Sequence, residues 1–128
     1  MLSIFRIVVG FLFMQHGLQK MFGMLGGHVP PTGSQLWVGG LIEMVGGALF
    51  ILGLFVRPAA FLMAGTMAVA YFQMHMLPAM RKGEADWFWP VVNKGELAVI
   101  YCFVFLFFLV AGAGAWSFDA MIAKRRNP

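Results

Sequence analysis

Cysteine and charge are the scarcest things in this 128-residue chain. There is one cysteine, and only 11% of residues are charged, five of them acidic. A lone Cys102 excludes an internal disulfide, a CxxC dithiol and a thiolate metal cage, so any redox chemistry needs a cofactor or a partner. Signature motifs are missing too: there is no GxSxG, no phosphate-binding loop and no His-Glu-x-x-His. Without a Glu-x-x-His, the four-helix di-iron pattern is not met. No metal site is expected. The charge level argues against a soluble domain, which carries about 25% charged residues.

What the chain has instead is apolar mass. Hydrophobic residues make up 61%, against about 45–50% in ordinary globular domains. A soluble protein this small could not cover that surface, whereas lipid can. The net charge of +4, from nine basic and five acidic residues, does not suit nucleic acid. The basic residues flank apolar runs and form no stripe interleaved with aromatics. They fit orientation signals and contacts to anionic lipid.

Four apolar segments approach the 20 or so residues that a helix needs to cross the hydrocarbon, at about 2–25, 36–56, 59–77 and 95–113. The expected fold is all-α: an integral membrane four-helix bundle with antiparallel, up-down connectivity, forming one domain over residues 1–128. The Ile7–Met14 stretch lacks a small-residue cleavage site behind it and reads as a retained first span, not a leader. Gly26–Ser34 is rich in helix breakers and forms a loop. Arg57-Pro58 is expected to make the tight turn between spans two and three. The stretch 78–93, with Trp87, Phe88 and Trp89, is expected to lie along the interface or cap the bundle mouth. Ser117 is placed to cap a short amphipathic segment, 117–126, ending in Lys124-Arg125-Arg126.

Four spans put both termini on one side, and the basic triad at the C-terminus tips that side toward the cytoplasm of an inner membrane. Trp37, Trp87 and Trp89 then mark the outer interface and Trp116 the inner one. With that topology the polar residues collect in one outer layer. His16 and Lys20 come from span one, Glu43 from span two and His75 from the end of span three, while Asn93 and Glu96 open span four. Ionisable groups in a bilayer are costly and tend to face the bundle interior, where they work.

Each residue has a plainer reading beside the functional one. Glu43, on a face shared with Gly39, Gly46 and Gly47, is a proton-handling carboxylate or a register-fixing partner of Lys20 or Arg6. Lys20 points a charge at the site or snorkels to the headgroups. His16 is a ligand and proton carrier or a packing histidine. His75, in Gln73-Met74-His75-Met76, binds a ligand or is simply wet. The adjacent methionines do not make this a copper site, because neighbours on a helix do not share a face. Asn93 and Glu96 have the spacing of a capping pair for span four, whether or not they also line the site. Arg6, at the inner end of span one, snorkels or pairs with the C-terminal segment.

The chain resembles the DoxX family of small four-helix membrane proteins nearly end to end. The resemblance is carried by Arg6, by Gln15-His16-Gly17 with Lys20, and by Glu43-x-x-Gly46-Gly47 with Leu52-Gly53 and Arg57. It continues through Phe72 to His75 and Trp89-Pro90-Val91-Val92-Asn93-Lys94-Gly95-Glu96, and closes on Gly112 to Asp119. Ala113 departs from a proline common in the family. The resemblance implies a link to membrane-bound oxidoreductase systems, including a thiosulfate:quinone oxidoreductase subunit in related DoxD proteins and complexes for oxidative and thiol stress.

The expected function is therefore a membrane subunit of a quinone-linked oxidoreductase. Glu43, His16 and Lys20 would be catalytic, while His75, Asn93 and Glu96 would hold the quinone. A haem between His16 and His75 is an alternative cofactor. Expected partners are membrane lipid and a soluble or membrane redox protein, with self-association also compatible. Two other functions fit the same residues: a non-catalytic anchor that recruits a soluble redox enzyme, and a small anion or proton carrier.

Overall fold

The computed structural model describes residues 1–127, and its regular structure is helical throughout. Helix α1 covers Leu2–Phe22, α2 covers Gln35–Leu52 and α3 covers Val56–Ala70. A π-helical turn, Tyr71–Met76, carries α3 without interruption into α4, Leu77–Arg81. A single turn, α5 (Pro90–Asn93), precedes α6 (Glu96–Ala111), and α7 (Phe118–Arg126) ends the described chain. Three helices are long and apolar enough to cross a membrane: α1, α2 and the continuous Val56–Arg81. Helix α6 is equally apolar but has 16 residues, about 24 Å at 1.5 Å per residue. That is short of a hydrocarbon core of about 30 Å.

The helix ends explain where the expected boundaries shift. Gly23 and Gly53 adopt the left-handed conformation (φ 65° and 68°) and close α1 and α2 earlier than the apolar runs do. Ser34 Oγ accepts the Trp37 N–H at 3.3 Å and starts α2. The turn between α2 and α3 is Gly53-Leu54-Phe55, not Arg57-Pro58. Pro58 lies in the first turn of α3, where its missing N–H would have had no partner anyway. Phe55 takes φ 50°, uncommon for a bulky residue. Its N–H and that of Val56 each donate to the Asp119 carboxylate at 2.9 Å, which offsets the strain.

Helices α1 and α2 meet backbone to backbone. A Cβ on Gly17 would sit 2.3 Å from the Met44 nitrogen, and one on Gly47 would sit 2.8 Å from the Gly10 carbonyl. Small residues allow this approach, and dispersion between backbones replaces the hydrophobic force that lipid does not supply. Helix α6 packs against α3 and is joined to the α1–α2 pair by aromatics. Phe13 and Phe50 set their edges against Phe105, with ring centres 4.7 and 5.3 Å apart.

One end of the assembly is tied by Arg6, which is 1% exposed. Its guanidinium donates to the carbonyl of Ala113, to that of Trp116 at 2.8 Å and to that of Ile51 at 3.5 Å. Ser3 Oγ accepts the Trp116 N–H at 3.0 Å. Arg6 therefore binds the C-terminal segment and does not snorkel. At the opposite end, the stretch after Arg81 is tied to the π-helical turn through Tyr71, His75 and buried Asn93.

Candidate functional site

A cavity of about 300 Å³ lies at this end, between the C-terminal part of α1, the N-terminal parts of α2 and α6, and the end of α3 with the π-helical turn. Its polar lining is His16, Lys20, Glu43, His75, Lys94 and Tyr101, and its apolar lining includes Phe13, Met67 and Leu97. His16 and Lys20 are one turn apart on α1 and therefore share a face. Glu43 reaches the cavity from α2, Tyr101 from α6 and Lys94 from the link behind α5.

His75 is presented by the π-helical turn. Turns of this type, with i→i+5 hydrogen bonds, shift the register of a helix face and recur at functional positions. The bond from the Leu77 N–H to the Phe72 carbonyl shows that register here.

Glu43 and Lys20 form the electrostatic centre. Lys20 Nζ is 2.6 Å from Glu43 Oε1, with the glutamate side chain 3% exposed and the lysine 31%. The second carboxylate oxygen, Oε2, is buried and has no hydrogen-bond partner among the described residues. An unpaired buried acceptor costs about 1–3 kcal/mol, and more when charged. Such an atom in a folded protein calls for an explanation. Here it belongs to a side chain that lines a cavity large enough for a ligand, so a ligand's donor hydrogen has a place to go.

The remaining groups are held in fixed roles. His75 Nδ1 lies 3.2 Å from the Asn93 carbonyl. A carbonyl only accepts, so Nδ1 carries the hydrogen and Nε2 of the neutral ring keeps its lone pair. Asn93 Nδ2 donates to the Trp87 carbonyl at 3.0 Å and to the Tyr71 hydroxyl at 3.2 Å. Tyr71 in turn donates to the Phe88 carbonyl. The His16 ring stands edge-on to Tyr101 with centres 6.3 Å apart.

Four of the six residues singled out by sequence thus line one cavity: His16, Lys20, Glu43 and His75. Asn93 reaches it only through its bond to His75. Glu96 does not reach it; it is exposed in the first turn of α6. Nor do Asn93 and Glu96 form the expected capping pair. Lys94 turns left-handed (φ 60°) and ends α5, and Gly95 precedes α6 with no side-chain cap. Asn93 Oδ1 instead accepts the Gly95 N–H at 2.9 Å and braces the link.

Tyr101 and Lys94 were not foreseen. The signal for Tyr101 was its rarity, since it is one of two tyrosines in the chain and its polar tip falls inside an apolar span. Lys94 resembled an ordinary interfacial charge. Among the described residues, no three His, Cys, Asp or Glu side chains come together closely enough to hold a metal ion.

Comparison with known proteins agrees with this membrane architecture. An uncharacterized protein of Haemophilus influenzae is 41% identical over 128 residues, covering 97% of this chain and 92% of its own length. An uncharacterized membrane protein of Mycobacterium tuberculosis is 28% identical over 133 residues, covering 94% of this chain and 80% of its own. No solved structure matches. The DoxX family model matches residues 1–76, which hold His16, Lys20, Glu43 and His75. With more than half of its length covered by that model, this chain belongs to the DoxX family of membrane proteins.

Proposed function

We propose that this chain is the membrane subunit of a quinone-linked oxidoreductase system, and that the cavity between His16, Glu43 and His75 receives the quinone head group. The observation that carries this reading is Glu43 Oε2, a buried acceptor without a partner beside a lysine, two histidines and a tyrosine. At about 300 Å³ the cavity is at the small end of the range for ligand pockets, roughly 300–1,000 Å³. That suits a single ring and not a porphyrin, so the haem alternative is set aside.

When bound, a quinone accepts two electrons and two protons to become a quinol, the electrons coming from a partner protein that oxidises a thiol or sulfur compound. In this scheme Lys20 and His16 donate hydrogen bonds to one ring oxygen. Glu43 takes the hydroxyl proton when the quinol is reoxidised and returns one when the quinone is reduced. His75, oriented by the Asn93 carbonyl, accepts at Nε2 from the other hydroxyl of the quinol, and Lys94 gives that end a positive charge. Glu96 has no part in it. In this reading the full arrangement is a four-helix antiparallel bundle, with α6 crossing where the bilayer is locally thinned. Both termini are cytoplasmic in an inner membrane, and the cavity faces the outer side.

The test is the quinone content of the protein purified in mild detergent, measured by mass spectrometry of its organic extract. Near-stoichiometric quinone that disappears in Glu43→Gln supports the assignment. A content no higher than that of an unrelated membrane protein ends it.

A second reading, a non-catalytic anchor, draws on α7. Helix α7 buries none of its residues and exposes Phe118, Met121 and Ile122 beside Lys124, Arg125 and Arg126. If the anchor reading holds, removing residues 120–128 abolishes partner pull-down while Glu43→Gln spares it.

A further inference from the structure

Glu43 and Lys20 also wall a second hollow. A cleft of about 220 Å³ lies between α2 and α3 and shares these two side chains with the cavity above. Its outward rim includes Val38, Gly65 and Val69, all exposed, so it opens sideways from the apolar surface of the helices. Its polar end is bridged by a hydrogen bond from the Gln35 amide to the Gln73 amide oxygen, which ties α2 to the π-helical turn.

Two glycines in this cleft have no packing explanation. At Gly17 or Gly47 a Cβ would collide with the facing helix, but at Gly39 and Gly65 it would meet nothing within 4 Å. Neither takes a positive φ. A glycine inside a helix is destabilising relative to alanine, and here neither close contact nor a special turn offsets it. What the two share is a position on opposite walls of one cleft, with a buried, half-unpaired carboxylate between them and the cavity.

We propose that the α2–α3 cleft is a lateral portal, kept open by Gly39 and Gly65, through which a lipid-dissolved quinone reaches Glu43 and in which its isoprenoid tail then lies. This rests on the cavity being the head-group site, and adds the path and the tail position. The cleft suits a tail because Val38, Ile42, Val69 and Met74 make its walls apolar. It suits passage from lipid because its open side lies within the spans and its outer end is closed by Gln35 and Gln73. The unpaired Glu43 oxygen supplies the polar end point, accepting from the hydroxyl of the quinol form.

The experiment uses the full chain in phosphatidylcholine vesicles and a ubiquinone analogue carrying a diazirine in its tail, with adducts mapped by peptide mass spectrometry. Adducts on residues 36–42 and 65–70, displaced by untagged ubiquinone, are expected. In Gly39→Leu/Gly65→Leu they fall by roughly fivefold or more, as expected when bulk is added to a filled site.

Adducts confined to residues 97–101 would overturn the portal while leaving the head-group site standing. No adducts above those on an unrelated membrane protein would remove the head-group reading itself, and the portal with it. Cleft adducts that untagged ubiquinone does not displace would make the cleft an ordinary lipid groove. Doubling of the purified protein's mass, with copies cross-linked through Thr66→Cys, would give the cleft to a second copy. Either result overturns the proposal. The wild-type map decides these outcomes even if the leucine variant does not accumulate.

Discussion

Two ends of the molecule each bury one charged side chain, and the two are treated differently. Arg6 gives its terminal guanidinium hydrogens to three backbone carbonyls, and neither hollow near Glu43 touches it. Its Nε is unpaired, but the group sits in packed protein among Ser3, Gly53 and Ser117. Glu43 uses one oxygen on Lys20 and leaves the other free beside two hollows. A charge whose hydrogen-bonding capacity is largely spent on backbone serves the fold. A charge with half its capacity left over, on a side chain that lines two hollows, is the one on which the proposed function rests. The two ends therefore differ in what each would lose on substitution.

The largest effect is expected at the Arg6 end. Arg6→Ala strips three carbonyls, one buried and two part-buried, of their donor and leaves a cavity, costing on the order of 3 kcal/mol. A large drop in thermal unfolding midpoint in detergent would show it. An unchanged midpoint would mean that the C-terminal segment is held by something else.

Next is Gly17→Leu, which forces α1 away from Met44 at a cost of about 1–3 kcal/mol. The check is the same midpoint, together with loss of bound ligand as His16 and Lys20 move off α2. Asp119→Ala removes the acceptor from the Phe55 and Val56 N–H groups and should cost about 1 kcal/mol, as lost helix caps do. Faster tryptic cleavage at Lys124 would report the loosened tail.

Glu43→Gln sharpens the contrast from the other side. An amide still accepts from Lys20 and removes a buried charge, so the midpoint should stay within about 1 kcal/mol of wild type while ligand content collapses. A midpoint that falls as far as that of Arg6→Ala would erase the distinction between the two ends. The smallest effect, and opposite in sign, is expected for Gly65→Ala. With open space around the new methyl group, stability should rise by about 0.5–1 kcal/mol. A fall would mean that the cleft is narrower than described.

Much of this was legible in the sequence because lipid makes burial one-sided. An apolar run interrupted by His16, Glu43 or His75 announces both a span and the depth of its exception. Their shared layer follows from counting residues along antiparallel segments. What could not be read depends on local backbone geometry. Nothing in Tyr71–Met76 marks a π-helical turn, and Phe55 and Lys94 are not residues one assigns to left-handed positions. Glu96 was misplaced for the same reason: the left-handed Lys94 separates Asn93 from α6 and breaks the spacing on which a capping pair depends. Tyr101 remained hidden because, by period alone, it belongs to the same stripe as Phe105 and Phe108.

The π-helical turn also bears on how relatives should be compared. Such a turn is, in effect, a helix with one residue to spare. Removing that residue would let Val56–Arg81 close into a regular α-helix and rotate everything beyond by about 100°. Lys94 would swing away from the cavity, and Asn93 would lose its grip on His75. One wall of the cavity is therefore a matter of chain length, not residue identity. Identity at His75 alone does not carry this cavity over to a relative; the length of the turn has to match as well.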